Sequence, residues 1–148
     1  TVDAATEVFS REVLKVGLTA PKGLARLCAV CAAWLDYAER EVFRGGCFFS
    51  SASLEFDSRP GPVRDRVAGT LGDWQATLTR LAAEAKAMGH LSSNVDPEQL
   101  AFEFNALAAG ANGAFQLHGH KVVFAQARRA IRDRLQGFAR PGSRFPPL

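Results

Sequence analysis

The sequence predicts an all-α protein, an antiparallel helical bundle of about five long helices plus one short helix. Three observations carry that reading. Apolar residues return at three- and four-residue steps through every long segment, which is the period of one helix face. Nowhere does an apolar/polar alternation of strand type compete with that period. Proline falls only between the periodic segments, at their starts, or in the last residues of the chain.

In the first helix Val2, Ala5, Phe9, Val13 and Val16 share a face, while Asp3, Glu7, Arg11 and Lys15 take another, with Glu7 and Arg11 at a supportive spacing. The break from Gly17 to Gly23 contains Pro21, which suits a first helical turn because its missing N–H has no partner there. A second helix places Leu24, Leu27, Cys28, Cys31, Leu35, Ala38 and Val42 on one side, and Gly45-Gly46 is expected to end it. The next stretch, Gly45 to Val63, has no long helical period and separates the two halves of the chain. Within it Cys47 to Phe56 fits a short helix of about two turns that neighbours must hold in place.

Pro60-Gly61-Pro62 starts the longest helix, whose stripe of Val63, Val67, Leu71, Trp74, Leu78, Leu81 and Ala85 alternates steps of four and three. Gly69 and Gly72 each cost roughly 1 kcal/mol there relative to alanine, so they are expected to permit close packing. Gly89 closes this helix. The fourth long helix opens with Asp96 as N-cap, Pro97 at the first position and Gln99 placed for a reciprocal capping box, and it runs to about His118. From about Lys121 a fifth helix carries Val122, Val123, Ala127, Ala130, Ile131, Leu135 and Phe138. Residues 1–139 thus read as one domain, and 140–148, with three prolines and a glycine, as an irregular tail.

Composition narrows the function classes. With 47% apolar and 22% charged residues the chain can build an ordinary soluble core. A net charge of +3 is too small to imply a nucleic-acid partner by itself. No apolar run approaches the ~18–20 residues of a membrane span, and no charged-then-apolar segment opens the chain, so the expectation is a cytoplasmic protein with no membrane partner. Three cysteines give an odd count that suits a reducing compartment. The chain opens on Thr1 with a helical pattern already under way, as a piece of a longer protein would.

Catalytic and metal chemistry find little support. Cys28 and Cys31 form a CxxC with no second ligand pair at zinc-site spacing, and they lie on an apolar stripe rather than at a helix N-terminus. His118 and His120 straddle a helix end, where their imidazoles have no fixed relative geometry. No phosphate-cradling glycine loop and no nucleophile elbow is present. The expectation is therefore no enzyme, no catalytic set, no metal and no cofactor.

Two other features are more informative. Leu107 to Ala114 is a mid-helix run of small residues containing Gly110 and Gly113, built for close approach by a second backbone, either within the chain or from the same helix of a second subunit. Paired with the last helix, it could form a four-helix interface in a C2 dimer. Phenylalanine and tryptophan also come from several different helices, which suits plain core and equally a small-molecule pocket between helices.

The wording Gly46-Cys47-Phe48-Phe49, Glu55-Phe56-Asp57 and Arg59-Pro60-Gly61-Pro62-Val63-Arg64-Asp65, followed by Asp96-Pro97-Glu98-Gln99-Leu100-Ala101, resembles the C-terminal domain of TetR/AcrR-type transcriptional regulators. The likeness runs in helix order from Val2 to Phe138. It implies a helical domain that binds a small-molecule effector and forms a homodimer through its last two long helices. Operator DNA would be contacted only through an N-terminal helix-turn-helix domain, and Val2–Val16 would be the helix connecting the two domains. On that basis Phe9, Trp34, Phe48, Phe49, Trp74, Leu78, Phe102 and Asn105 are expected to face an apolar or aromatic effector. Leu107, Gly110, Ala111, Ala114, Phe115, Val123, Ala127, Ala130, Ile131 and Leu135 are expected at the dimer interface. The rival readings are a dimerising module with a collapsed, ligand-free interior, and a small enzyme using Cys47 with a base beside its thiol.

Overall fold

The computed structural model describes residues 1–148, and six helices account for its regular structure. Helix α1 comprises Val2–Phe9, a π-helical turn Ser10–Leu14 and a last turn Lys15–Gly17; α2 is Leu24–Glu39, α3 Phe48–Phe56, α4 Pro62–Ala87, α5 Pro97–His118 and α6 Val122–Phe138. The all-α bundle of five long helices and one short one is thus the observed architecture. The only strand-like feature is an isolated bridge between Leu91 and Ala139.

Helix α2 is the centre. It packs against α1, α4, α5 and α6, and Val30, Ala33, Trp34 and Tyr37 are buried along with its expected stripe of Leu24, Leu27, Cys28, Cys31, Leu35 and Ala38. A helix that is apolar nearly all round can only be satisfied in that position. Its end differs from expectation: the helix stops at Glu39, six residues before Gly45, and Glu41 takes a positive φ of 50°. Further along, the amide oxygen of Asn112 on α5 accepts the N–H of Cys47 at 3.0 Å, which ties the far end of the Arg40–Gly46 segment to α5.

The π-helical turn in α1 also changes a register. The Lys15 N–H donates to the Ser10 carbonyl five residues back, so the helix gains about one residue of delay. Phe9 and Val13 stay buried, but Val16, expected on that face, is 57% exposed and Gly17 takes its place. A Cβ at Gly17 would lie 2.7 Å from Val30 Cα, so the missing side chain is what lets α1 close on α2. Pro21 is likewise not in the first turn of α2; it precedes Gly23, the N-cap. The start of α2 is capped from α4 and the turn after it: Leu24 N–H donates to His90 Nδ1 at 3.1 Å and Gly23 N–H to Glu84 Oε2 at 3.3 Å.

The α4 stripe packs from its second member onward, with Val67, Trp74, Leu78, Leu81 and Ala85 buried and Leu71 half-buried, while Val63, in the helix's first turn, is exposed. Gly69 and Gly72 do not serve close packing: both face solvent with nothing within 4 Å of an added Cβ, because they lie off the stripe. At the start of α5 Asp96 accepts the N–H groups of Glu98 and Gln99 at 3.0 and 3.3 Å. The reciprocal half of the capping box is not formed, since the Gln99 amide donates to Glu103 Oε1 at 3.0 Å instead. A short Gly119–Lys121 connection, with Gly119 left-handed, folds α6 back along α5 as its antiparallel neighbour.

Beyond Phe138 the chain forms no further helix. It is nonetheless held: Ser92 N–H donates to the Phe138 carbonyl at 2.8 Å, Arg140 N–H to the His90 carbonyl at 3.2 Å, and Phe145 and Leu148 pack against the core.

Candidate functional site

A cavity of ≈ 760 Å³ lies between α1, α3, α4 and α5, with Trp34 of α2 in its wall. That volume is in the range of sites that enclose small molecules. Each wall follows from helix spacing. Helix α1 supplies Thr6, Phe9, Ser10 and Leu14, the last two from the π-helical turn. Helix α4 supplies Thr70, Trp74 and Thr77 at steps of four and three, together with Leu71 and Asp73. On α5, Asn105, Ala109, Asn112 and Gln116 recur in the same way, with Gly113 and Leu117 beside them. The short α3 closes the remaining side with Phe49, Ser50, Ser51, Ser53 and Leu54.

The aromatic part of the wall is an edge-to-face cluster. Trp74 meets Phe9 at a centroid distance of 5.0 Å and 86°, and Trp34 at 4.9 Å and 71°; Phe9 meets Phe49 at 6.0 Å and 85°. Such contacts add about 0.5–1.5 kcal/mol each beyond area burial and hold the rings at defined angles. The polar part consists of hydroxyls and amides. Asn112 is the single buried polar residue of the chain, and it pins the start of α3 through Cys47. The buried indole N–H of Trp74 finds no acceptor in the protein. Asp73 is the only carboxylate in the wall, and no Lys, Arg or His joins it.

Of the residues expected to face an effector, Phe9, Trp34, Phe49, Trp74 and Asn105 meet in this wall. The other three do not. Leu78 is fully buried one turn below Trp74. Phe48 turns away from the cavity, 6.0 Å from Phe43 and 5.3 Å from Phe49. Phe102 is 63% exposed because it lies two residues from both Leu100 and Phe104, on the opposite side of α5 from the inward stripe. Apart from Asn105, the hydroxyl and amide lining was not among the expected residues. One signal could have found part of it: stepping by four and three from Asn105 reaches Asn112 and Gln116, and from Trp74 reaches Thr70 and Thr77.

The expected dimer residues also divide. Ala111, Phe115, Ala127, Ile131 and Leu135 are packed in this chain's own core and leave no surface for a partner. They form the inward stripes of α5 and α6, which apolar character alone could not tell from an outward seam. Gly110 is open, with nothing within 4 Å of an added Cβ, while Leu107, Ala114, Val123 and Ala130 are half-buried. The exposed large apolar residues of α5 and α6 are Phe102, Leu117 and Val122.

The cysteines are placed for packing. Cys28 and Cys31 are buried in α2, and burial pushes the Cys28 thiol up to about 12 and the Cys31 thiol higher still. Cys47 lies in the cavity wall, where its backbone N–H makes the bond to Asn112.

Comparison with known proteins agrees with this architecture. The family model described as "Tetracyclin repressor-like, C-terminal domain" matches residues 23–131. A transcriptional regulator, AcuR of Cereibacter sphaeroides, is 37% identical over 65 residues, which cover 44% of this chain and 30% of that protein. The match therefore spans under a third of the relative's length. A TetR transcriptional regulator from Chloroflexus aurantiacus superposes with a TM-score of 0.84 at 26% identity, covering 94% of this chain and 70% of that one. A TetR-family regulator from Cytophaga hutchinsonii, at 16% identity, shares the fold with a TM-score of 0.82 over 93% of this chain and 69% of its own. With an all-α bundle of the same build and a family match over most of its length, the chain belongs to the tetracycline repressor-like C-terminal domains of TetR-family transcriptional regulators.

Proposed function

We propose that this chain is the effector-sensing and homodimerising domain of a TetR-type regulator, and that operator DNA is contacted by a helix-turn-helix domain outside these residues. The observation that carries the reading is the cavity itself, walled by aromatic rings, hydroxyls and amides and bordered by α1 at its π-helical turn. A collapsed interior was the mark of the rival ligand-free module, and a cavity of ≈ 760 Å³ favours the sensing role over it. The Trp74 N–H is a buried donor that a bound acceptor could satisfy.

Helix α1 would carry the signal. Four of its side chains line the cavity, and π-helical turns inside α-helices recur at functional sites. An effector that prefers one register of α1 would bias the spacing of the two DNA-reading domains, and only to the extent of its differential affinity for the two states. Couplings of this kind are typically about 1–3 kcal/mol, or roughly 5–150-fold in affinity.

The second subunit would dock on the outward faces of α5 and α6, around Gly110, Phe102 and Val122. This outward seam replaces the buried half of the residues the spacing suggested.

The test uses the chain's two tryptophans, Trp34 and Trp74, which both lie in the cavity wall. Apolar and aromatic compounds are titrated against intrinsic emission and thermal unfolding. Ligands that change both should lose their thermal shift in Trp34→Ala and Trp74→Ala. Equal shifts in wild type and both variants would move the site elsewhere.

A further inference from the structure

We propose that this pocket selects its ligand by charge: it takes an apolar, ring-bearing body with one cationic head, a protonated amine, and discriminates against anions. The inference rests on the effector-pocket reading above. The wall carries ionised charge of a single sign, because Asp73 is its only carboxylate and it contains no Lys, Arg or His. The Asp73 carboxylate also differs from the arginine-paired acids of the surface. Asp3, Glu12, Asp36, Glu39 and Glu103 each pair with an arginine, whereas the Asp73 carboxylate pairs with nothing in the chain. It stands next to Trp74, whose ring joins Trp34 and Phe9 in the aromatic cluster.

These features act in one direction. A ligand cation gains from an unpaired carboxylate and from aromatic rings, whose faces attract positive charge. A ligand anion meets the same carboxylate as a repulsion and finds no cation to offset it. The remaining polar groups are neutral hydroxyls and amides, which orient a head group of either sign without choosing between them. Two opposing elements are present: the buried Trp74 N–H, a donor that favours an acceptor and that an ammonium head cannot satisfy, and a helix start. The first turn of α3 borders the cavity and carries the partial positive charge of a helix start, about half a unit, against the full unit on Asp73.

The experiment compares three probes with one body and different heads: 1-adamantanemethylamine, 1-adamantanemethanol and 1-adamantanecarboxylic acid. None absorbs where tryptophan does, so emission from Trp34 and Trp74 reports binding directly. Asp73 is exposed, which limits the gain to about fivefold for the amine over the alcohol, with the acid weaker by a similar factor. Asp73→Asn should bring the amine down to the alcohol's affinity, and added salt should narrow the gap in the unsubstituted chain. An acid that binds as tightly as the amine overturns the inference and points to the start of α3, while leaving the pocket reading intact. An amine advantage that survives in Asp73→Asn also overturns it. Ala109→Phe and Ser51→Phe fill the cavity from α5 and α3, with the fold checked by circular dichroism. If no probe binds, or if binding is unchanged in both filled variants, the pocket reading falls and this inference falls with it.

Discussion

The contact between Gly46 and Asn112 can be tested by a cycle whose sign follows from geometry. Asn112 is buried, and its Oδ1 accepts the buried N–H of Cys47 at 3.0 Å. Asn112→Ala leaves that donor unpaired, at a cost of about 1–3 kcal/mol. Gly46 holds a φ of 80°, and a Cβ there would run into Asn112 Oδ1 and come within 2.8 Å of Gln116 Nε2. Gly46→Ala therefore incurs left-handed backbone strain of about 1–2 kcal/mol, and by displacing the Asn112 amide it breaks the same hydrogen bond. In the double variant the bond is lost once rather than twice. The combined loss should fall short of the sum of the single losses by about 1–3 kcal/mol, the worth of the shared bond. For a chain near this length each kcal/mol moves the melting temperature by roughly 2–4 °C, so Asn112→Ala alone should lower it by roughly 2–12 °C. Thermal and urea unfolding followed by circular dichroism measure all four corners. Additivity to within about 0.5 kcal/mol would refute the claim that Gly46 is required by the Asn112 contact.

Four further outcomes are expected. Gly110→Leu, which places a large side chain on the open face of α5, should weaken self-association, and an unchanged sedimentation profile would remove that face from the interface. His90→Ala should cost about 1 kcal/mol by uncapping the Leu24 N–H at the start of α2, read as a lower urea midpoint with an unchanged slope. Cys28 and Cys31, both buried and with thiols shifted up, should react with alkylating reagents only as fast as the chain opens, so labelling at neutral pH without unfolding would contradict their placement. The last concerns acid. Hydrogen bonding from Arg134 holds the Glu103 carboxyl below its ordinary 4.5, so the pair's contribution is fully present above that value and is lost as pH falls through the lowered one. Because both groups are partly exposed the contribution is below about 1 kcal/mol, and Glu103→Gln should flatten that part of the stability profile.

Helix existence and order were legible because they depend on local quantities. The apolar period, the Asp96-Pro97 start and the Gly119 stop are each set within one turn of chain, and all three are found where the residues place them. The aromatic half of the cavity was legible in part for the same reason, since Phe9, Phe49 and Trp74 lie on apolar stripes that must turn inward. What the period does not encode is which of two apolar directions is interior. Phe102 and Phe104 are equally apolar, yet one is exposed and the other buried, and only the arrangement of neighbouring helices distinguishes them.

By itself, then, the sequence determined an all-α bundle, the helix order and the family wording from Gly45 to Val63. Tertiary structure decided the rest through contacts distant in sequence. Cys47, before α3, is held by an amide 65 residues away, and the start of α2 is capped by a histidine 66 residues away. The π-helical turn in α1 moves Gly17 into the place expected of Val16. The cavity exists because side chains from five helices converge on one space without filling it. A void depends on where several backbones stop approaching one another, and no single helix carries that information in its own period.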